Sequence, residues 1–181
     1  FDTIVSTDGD ADRPLIADEQ GNWLRGDIVG LLCARYLGID IVVTPVSSNS
    51  SVEKSGLFKK VCRTRIGSPY VIEQMNAELA NGKVAGYEAN GGFLLASPVV
   101  RDGKRLDPLP TRDAVLPILT ILAAAREQDR SISALLSELP PRFTASDRLK
   151  DFPSDKARAR IAALGDSSED IERQFGAQCG K

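Results

Sequence analysis

The sequence predicts an α/β protein: a three-layer α/β/α domain with a mixed, largely parallel sheet, plus flanking pieces of neighbouring domains. The first observation is that short β-branched runs alternate with segments of helical periodicity, which is typical of βαβ units. The second is composition, because 181 residues with 42% hydrophobic and 27% charged side chains can bury a sizeable core. Disorder of the whole chain is therefore excluded.

The first half of the chain predicts alternating strands and helices. Strands are expected where apolar and β-branched residues cluster, at 1–7, 14–17, 39–44 and 60–65. A helix is expected after Asp27, a plausible N-cap, and Gly38 is expected to end it. A short helix is expected over 52–58, and a longer one begins at Ser68 as N-cap, with Pro69 in its first position.

The second half predicts a β-turn-β segment followed by helices. Strands at 84–88 and 93–95 enclose the glycine-containing turn 90–92. Helices are expected at 113–127, 132–139 and 154–164. Pro140 and the charge-rich sequence after it mark a boundary. We therefore expect three parts: the end of a preceding domain at 1–21, an α/β domain at 22–140, and at 141–181 a linker with the start of a truncated C-terminal domain.

Charge and composition exclude several classes of function. A net charge of −2 argues against a nucleic-acid-binding domain, and the longest apolar run, 115–125, is too short to cross a membrane. Histidine is absent, which removes the usual general base and the usual zinc ligand. The widely spaced Cys33, Cys62 and Cys179 fit neither a metal site nor a disulfide framework, and Cys33 and Cys62 are expected in the core. Reduced thiols favour a cytoplasmic location.

The motif Asp-Gly-Asp-Ala-Asp-Arg at residues 8–13 carries the sharpest chemical signal. Alternate side chains of an extended or looped backbone point the same way, so Asp8, Asp10 and Asp12 can converge on one cation. Oxygen ligands suit Mg²⁺ or Ca²⁺ rather than zinc. A solvated acidic turn and a calcium loop of the EF-hand kind are the alternatives, although Pro14 and the flanking strands disfavour the latter. Arg13 could neutralise the carboxylates or reach a substrate phosphate.

Two further motifs follow in order, Arg-Ile-Gly-Ser at 65–68 and Gly-Tyr-Glu-Ala-Asn-Gly-Gly at 86–92. Taken alone, Glu88 could be a surface carboxylate at a strand end. The sequence from Asn90 to Gly92 could be a simple left-handed turn, because Asn and Gly both tolerate positive φ. The residues by themselves leave these alternatives open.

Together the three motifs resemble those of the α-D-phosphohexomutases, the phosphomannomutase and phosphoglucomutase enzymes, over about residues 1–140. The resemblance implies that the three aspartates hold Mg²⁺ and that Arg13 faces a bound phosphosugar. It implies that Glu88 and Asn90 bind sugar hydroxyls, that Ser68 lies in a second substrate loop, and that Arg65 acts electrostatically. The implied activity is transfer of phosphate between C1 and C6 of a hexose phosphate, mannose or glucose.

The sequence also departs from the family pattern. The family's sugar loop commonly ends in His where this chain has Gly92, and its basic loop often carries His where this chain has Ser68. The phosphoserine motif, Thr-Ala-Ser-His-Asn-Pro, is missing, and Ser146 in Thr-Ala-Ser-Asp is rejected as the nucleophile. We therefore expect a fragment that is inactive alone and depends on the remaining domains of a longer chain.

Two other functions compete with this interpretation. A haloacid-dehalogenase-like phosphatase also places an Asp-X-Asp pair on Mg²⁺, but its downstream lysine and acidic pair are not found in order. A non-catalytic, metal-stabilised α/β binding domain is the second alternative. The expected partners are a hexose phosphate and the other domains, with no nucleic acid and no membrane.

Overall fold

The computed structural model describes residues 1–145, 147, 149–165 and 168–175. Within them the chain divides into two compact units, Phe1–Thr144 and a second one from Ala145 onward. The expected assignment of 1–21 and 141–181 to neighbouring domains stays a prediction. The rejected Ser146 and the thiol of Cys179 lie outside the described residues.

Helices and strands alternate through the first unit. From the start of the chain they are β1 (Ile4–Thr7), β2 (Pro14–Ala17), α1 (Gly26–Tyr36), β3 (Ile41–Pro45), α2 (Ser51–Lys54), β4 (Lys60–Thr64) and α3 (Ser68–Glu78). The rest of the unit contains β5 (Val84–Tyr87), β6 (Phe93–Leu95), β7 (Val99–Arg101), β8 (Lys104–Leu106), β9 (Leu109–Asp113), α4 (Val115–Glu127) and α5 (Ile132–Leu136). The second unit contains α6 (Ser154–Gly165) and α7 (Ser168–Phe175). Among the described residues, no helix is both long and apolar enough to cross a membrane.

The central sheet has the strand order β4-β3-β5-β6-β9. β3 pairs in parallel with both β4 and β5, whereas β6 pairs antiparallel with β5 and β9. The mixed α/β fold predicted from the sequence is therefore confirmed. Because β3, β4 and β5 run in the same direction, the loops that follow them emerge at one edge of the sheet.

Helices cover both faces of this sheet, which gives the predicted three layers. On one face Leu31 and Ala34 of α1 pack against Val42, Tyr87 and Leu95 of the strands. The other face is covered by α3, whose buried side chains contact the strands through Val71 and Met75. The helices α4 and α5 form a further apolar cluster with residues of α1 and with Ile16 of β2. This cluster holds the β1–β2 hairpin to the rest of the unit. Cys33 and Cys62 are buried, as predicted.

Two helix starts differ from the sequence-based expectation. Asp27 is not an N-cap, because α1 begins at Gly26, two residues earlier than expected, with Arg25 as its N-cap. Its buried carboxylate instead pairs with the Arg25 guanidinium at 3.2 Å and accepts the Asn49 backbone N–H at 2.8 Å. Ser68 is likewise the first helical residue of α3, with Gly67 as N-cap. The three strands β7, β8 and β9 and the helix α7 were missed.

A buried carboxylate on α3 joins that helix to β4. Glu78 accepts hydrogen bonds from Lys60 Nζ at 2.6 Å, Asn81 Nδ2 at 3.0 Å and Gln74 Nε2 at 3.1 Å. The bond from Lys60 is the main cause that holds the pKa of Glu78 below its ordinary value of 4.5, and the Asn81 bond adds to it. Ionised Glu78 therefore stabilises the folded state.

The Glu78→Gln variant is expected to unfold at a lower temperature than the wild type at about pH 7. Because the folded-state pKa is depressed, the stabilisation is complete above the ordinary pKa of 4.5 and is lost as pH falls through the folded-state pKa. The difference in unfolding temperature should therefore shrink at about pH 3. Glu73→Gln, an exposed change on the same helix, is the control. A difference that is equal at both pH values would contradict this account.

Candidate functional site

The aspartate motif forms the tight loop that joins β1 to β2. The Asp8 N–H donates to the Arg13 carbonyl at 3.2 Å, and the Ala11 N–H donates to the Asp8 carbonyl at 3.1 Å. Ala11 adopts a positive φ of 59°, which reverses the chain between Asp10 and Asp12. As a result, one carboxylate oxygen from each of the three aspartates lies within 4.8 Å of the other two. We call residues 8–13 the acidic loop.

Two arginines balance the charge of the acidic loop. Arg13 lies 3.3 Å from Asp8 Oδ2 through Nη1 and 3.5 Å from Asp12 Oδ1 through Nε. Arg112 of β9 lies 2.6 Å from Asp12 Oδ2 through Nη2. Asp10 is exposed and makes no ion pair with any described residue. Of the two roles considered for Arg13, its position fits neutralisation of the loop's own carboxylates.

The donor set of the acidic loop fits a hard divalent cation. All the converging groups are carboxylate oxygens, and oxygens on opposite sides of one Mg²⁺ are about 4.2 Å apart, close to the spread observed here. Asp12 Oδ1 is buried and makes no hydrogen bond within the described part of the chain. Its nearest charged group is Arg13 Nε at 3.5 Å, too far for a hydrogen bond, so a bound cation would satisfy this oxygen more fully. Asp8, Asp10 and Asp12 could therefore hold such a cation.

The second part of the site is the turn between β5 and β6, residues 88–92, which we call the sugar loop. The Gly91 N–H donates to the Glu88 carbonyl at 2.9 Å, and the Glu88 N–H donates to the Gly92 carbonyl at 3.1 Å. Asn90 Oδ1 accepts the Gly92 N–H at 3.0 Å, so this side chain helps to form the turn itself. Glu88 is 7% exposed, and its carboxylate makes no hydrogen bond to any described residue. Its oxygens thus remain available to a ligand.

The sugar loop packs closely against the start of α1 and against Pro14, the residue that follows the acidic loop, because Gly26 and Gly91 carry no side chain. A Cβ built on Gly26, at the start of α1, would lie 2.2 Å from the Gly91 nitrogen. A Cβ built on Gly91 would lie 3.2 Å from Cδ of Pro14, the residue that follows the acidic loop. Gly91 also has a φ of +94°, which disfavours other residues. A side chain at either glycine would push the loops apart.

Arg65 and Ser68 follow β4, at the same edge of the sheet as Glu88. Two strand spacings separate β4 from β5, or about 10 Å. The exposed Arg65 guanidinium lies 5.7 Å from the centre of the Tyr70 ring and forms no ion pair with a described carboxylate. The structure thus places this loop across the edge from the sugar loop but does not bring Arg65 into contact with the acidic loop.

Sequence reasoning missed Arg112, which contacts both loops. Its guanidinium pairs with Asp12, and a Cβ built on Gly92 would lie only 2.9 Å from its Cδ. The segment around it, Leu109–Asp113, is an edge strand that contains Pro110. Its polar, proline-containing sequence lacks the apolar alternation that indicates a strand. No local signal in the sequence distinguishes Arg112 from the other arginines of the chain.

Comparisons with known proteins show which family this chain resembles. Residues 25–143 match a family described as "Phosphoglucomutase/phosphomannomutase, alpha/beta/alpha domain III". A phosphomannomutase of Salmonella muenchen is 52% identical over 176 residues, which cover 97% of this chain and 36% of that protein. One of Sinorhizobium fredii is 45% identical over 178 residues, with coverages of 97% and 37%.

A solved structure shows the same fold at lower identity. It is the Aspergillus fumigatus N-acetylphosphoglucosamine mutase "in complex with GlcNAc-6P and magnesium", which is 18% identical with a TM-score of 0.59. The match covers 90% of this chain and 40% of the fungal one. The chain thus spans little more than a third of the length of the curated relatives. The family membership predicted from the three motifs is confirmed: this chain belongs to the phosphoglucomutase/phosphomannomutase family and carries its α/β/α domain III.

Proposed function

We propose that this chain is the cation- and sugar-binding part of a phosphohexomutase that moves phosphate between C1 and C6 of a hexose phosphate. The observation that carries the proposal is that Arg112 pairs with Asp12 of the acidic loop and lies against Gly92 of the sugar loop, while Gly91 packs on Pro14, the residue after the acidic loop. A cation site next to an unpaired, buried Glu88 is what a phosphosugar needs, since one end of it is anionic and the other offers hydroxyls. Mannose or glucose is the proposed sugar, because the two relatives cited are phosphomannomutases and the matching family is described as phosphoglucomutase/phosphomannomutase.

We propose Mg²⁺ as the cation and Asp8, Asp10 and Asp12 as its protein ligands. The support is the all-oxygen donor set, the hydrogen-bond-free Asp12 Oδ1 and the magnesium present in the fungal mutase complex. When bound, such a cation supplies positive charge to oxygens of a transferring phosphoryl group. Arg13 adds charge at the same place while it holds Asp8 and Asp12 in the loop.

The sugar loop and the loop after β4 would bind the substrate. The carboxylate of Glu88 accepts from hydroxyl groups, while the amide of Asn90 donates to one, because its Oδ1 is used by Gly92. Ser68 and Arg65 lie across the sheet edge, where a hydroxyl and a guanidinium can face the other end of a sugar phosphate. The chain contains no histidine, so an imidazole cannot act as acid or base. In our proposal, Arg65 contributes electrostatically instead.

The phosphoryl donor lies outside this chain in our proposal. The family's phosphoserine motif is not found in these 181 residues, and the chain corresponds to about 36% of a relative's length. The 181-residue chain alone is therefore expected to give no turnover of mannose 1-phosphate. The comparisons do not favour a haloacid-dehalogenase-like phosphatase, since the match to domain III covers residues 25–143.

Replacing Asp10 tests the cation site. Asp10→Ala removes one of three ligand groups without breaking an ion pair, so the Mg²⁺ affinity should fall about tenfold while the unfolding temperature stays close to that of the wild type. Isothermal titration of the 181-residue chain with Mg²⁺ measures this. Asp107→Ala, an exposed change on the loop after β8, is the matched control. Equal Mg²⁺ affinities in Asp10→Ala and wild type would show that the acidic loop is not the cation site.

Replacing Glu88 tests the sugar loop in the longer mutase that carries this chain. Glu88→Gln keeps the size but removes the charge that accepts from sugar hydroxyls. We expect kcat/KM for mannose 1-phosphate to fall about tenfold or more, which corresponds to about 1.4 kcal/mol. Mg²⁺ affinity should not change, because Glu88 is not a proposed ligand. Glu169→Gln, a change at an exposed residue, serves as control. Wild-type kinetics in Glu88→Gln would show that the sugar loop does not bind the sugar through Glu88.

A further inference from the structure

Arg112 lies where the two loops of the site meet. It belongs to β9, which is the edge strand beside β6, and its side chain is about one third exposed. One end of the side chain pairs with Asp12 of the acidic loop, and its methylene groups lie against Gly92 of the sugar loop. Arg112 thus joins an aspartate of the acidic loop to the sugar loop.

The contact with Asp12 distinguishes the two carboxylate oxygens. Oδ2 is engaged by Arg112 Nη2 at 2.6 Å, whereas Oδ1 is buried without a hydrogen bond and has only the looser approach of Arg13 Nε at 3.5 Å. A carboxylate held by one oxygen presents the other in a fixed direction. Groups that hydrogen-bond a metal ligand in this way orient it, and their removal commonly weakens metal binding.

The contact with Gly92 explains why a residue without a side chain stands there. A Cβ at position 92 would come within 2.9 Å of Arg112 Cδ and 3.0 Å of its Cγ, closer than real Cβ contacts come. Gly92 shows no positive φ that would require glycine, so a side chain there would have to shift Arg112 rather than strain the backbone. Gly92 and the position of Arg112 are therefore coupled: a side chain at 92 would displace the guanidinium from Asp12.

We propose that Arg112 is a positioning residue that fixes Asp12 with Oδ1 toward the cation and makes cation binding depend on the residue at position 92. The inference rests on the cation site of the proposed function. It assigns to Arg112 no contact with substrate and no proton transfer. Its role is to hold the acidic loop against the sugar loop, so that the cation and the sugar hydroxyls are bound at a fixed separation.

The Arg112→Lys variant tests the positioning directly. A positive side chain close to a bound cation repels that cation, so the variant must keep the positive charge of Arg112. Lysine keeps this charge but lacks the planar guanidinium and the length of arginine. We expect the affinity of the 181-residue chain for Mn²⁺, measured by electron paramagnetic resonance of the free ion, to fall about tenfold. Arg105→Lys, at an exposed ion pair with Asp107 on the neighbouring β8 hairpin, should bind Mn²⁺ like the wild type. Thermal unfolding shows whether each variant is folded.

The Gly92→Ala variant tests the coupling from the other loop. Alanine at 92 should displace Arg112 and weaken Mn²⁺ binding several-fold, although residue 92 is not a proposed ligand. In an Arg112→Ala background the same change should have no further effect on Mn²⁺ affinity. Wild-type affinity in both Arg112→Lys and Gly92→Ala would overturn the positioning role while leaving the cation site in place. Failure of the wild-type chain to bind Mn²⁺ would overturn the cation site itself, and the inference with it.

Discussion

Gly26 and Gly91 pack backbone against backbone, and the arrangement of the whole candidate site depends on this contact. A Cβ on Gly26 would overlap the backbone of the sugar loop, and one on Gly91 would crowd both Gly26 and Pro14. The start of α1 is itself held by the buried Asp27, which binds the loop after β3 through the Asn49 N–H. Helix α1, the acidic loop and the sugar loop are thereby fixed to one edge of the sheet.

The charges at this edge explain how a site without histidine can be assembled. Three aspartates within a six-residue loop repel one another, and the two arginines, Arg13 and Arg112, offset part of that repulsion before any cation binds. One arginine belongs to the loop itself and the other to β9, much later in the sequence. Both arginines are therefore paired with aspartates of the acidic loop. Glu88, on the neighbouring turn, has no ion-pair partner among the described residues.

Local patterns in the sequence were sufficient for the fold class and for the acidic loop. Most residues of β3 and β5 are β-branched or small, and all are buried. The convergence of Asp8, Asp10 and Asp12 follows from their alternate spacing. Long-range contacts were not accessible in this way. Asp27 was expected as an N-cap from its local sequence alone. Its actual partner is the Asn49 N–H, 22 residues away, which a local pattern does not reveal. Arg112 escaped notice because its strand is polar and pairs only at an edge, and its partner Asp12 is distant in sequence.

The central claim is that the acidic loop and the sugar loop form one site. Paramagnetic broadening by Mn²⁺ in the ¹⁵N-labelled 181-residue chain tests it most directly, because the effect falls steeply with distance from the ion. Our account predicts that the amide signals of residues 9–13 and those of Gly91 and Gly92 broaden first and recover when Mg²⁺ is added in excess. The signal of Lys83, just before the opposite end of β5, should broaden only at higher Mn²⁺. Gly91 and Gly92 signals that persist as long as that of Lys83 would contradict the account.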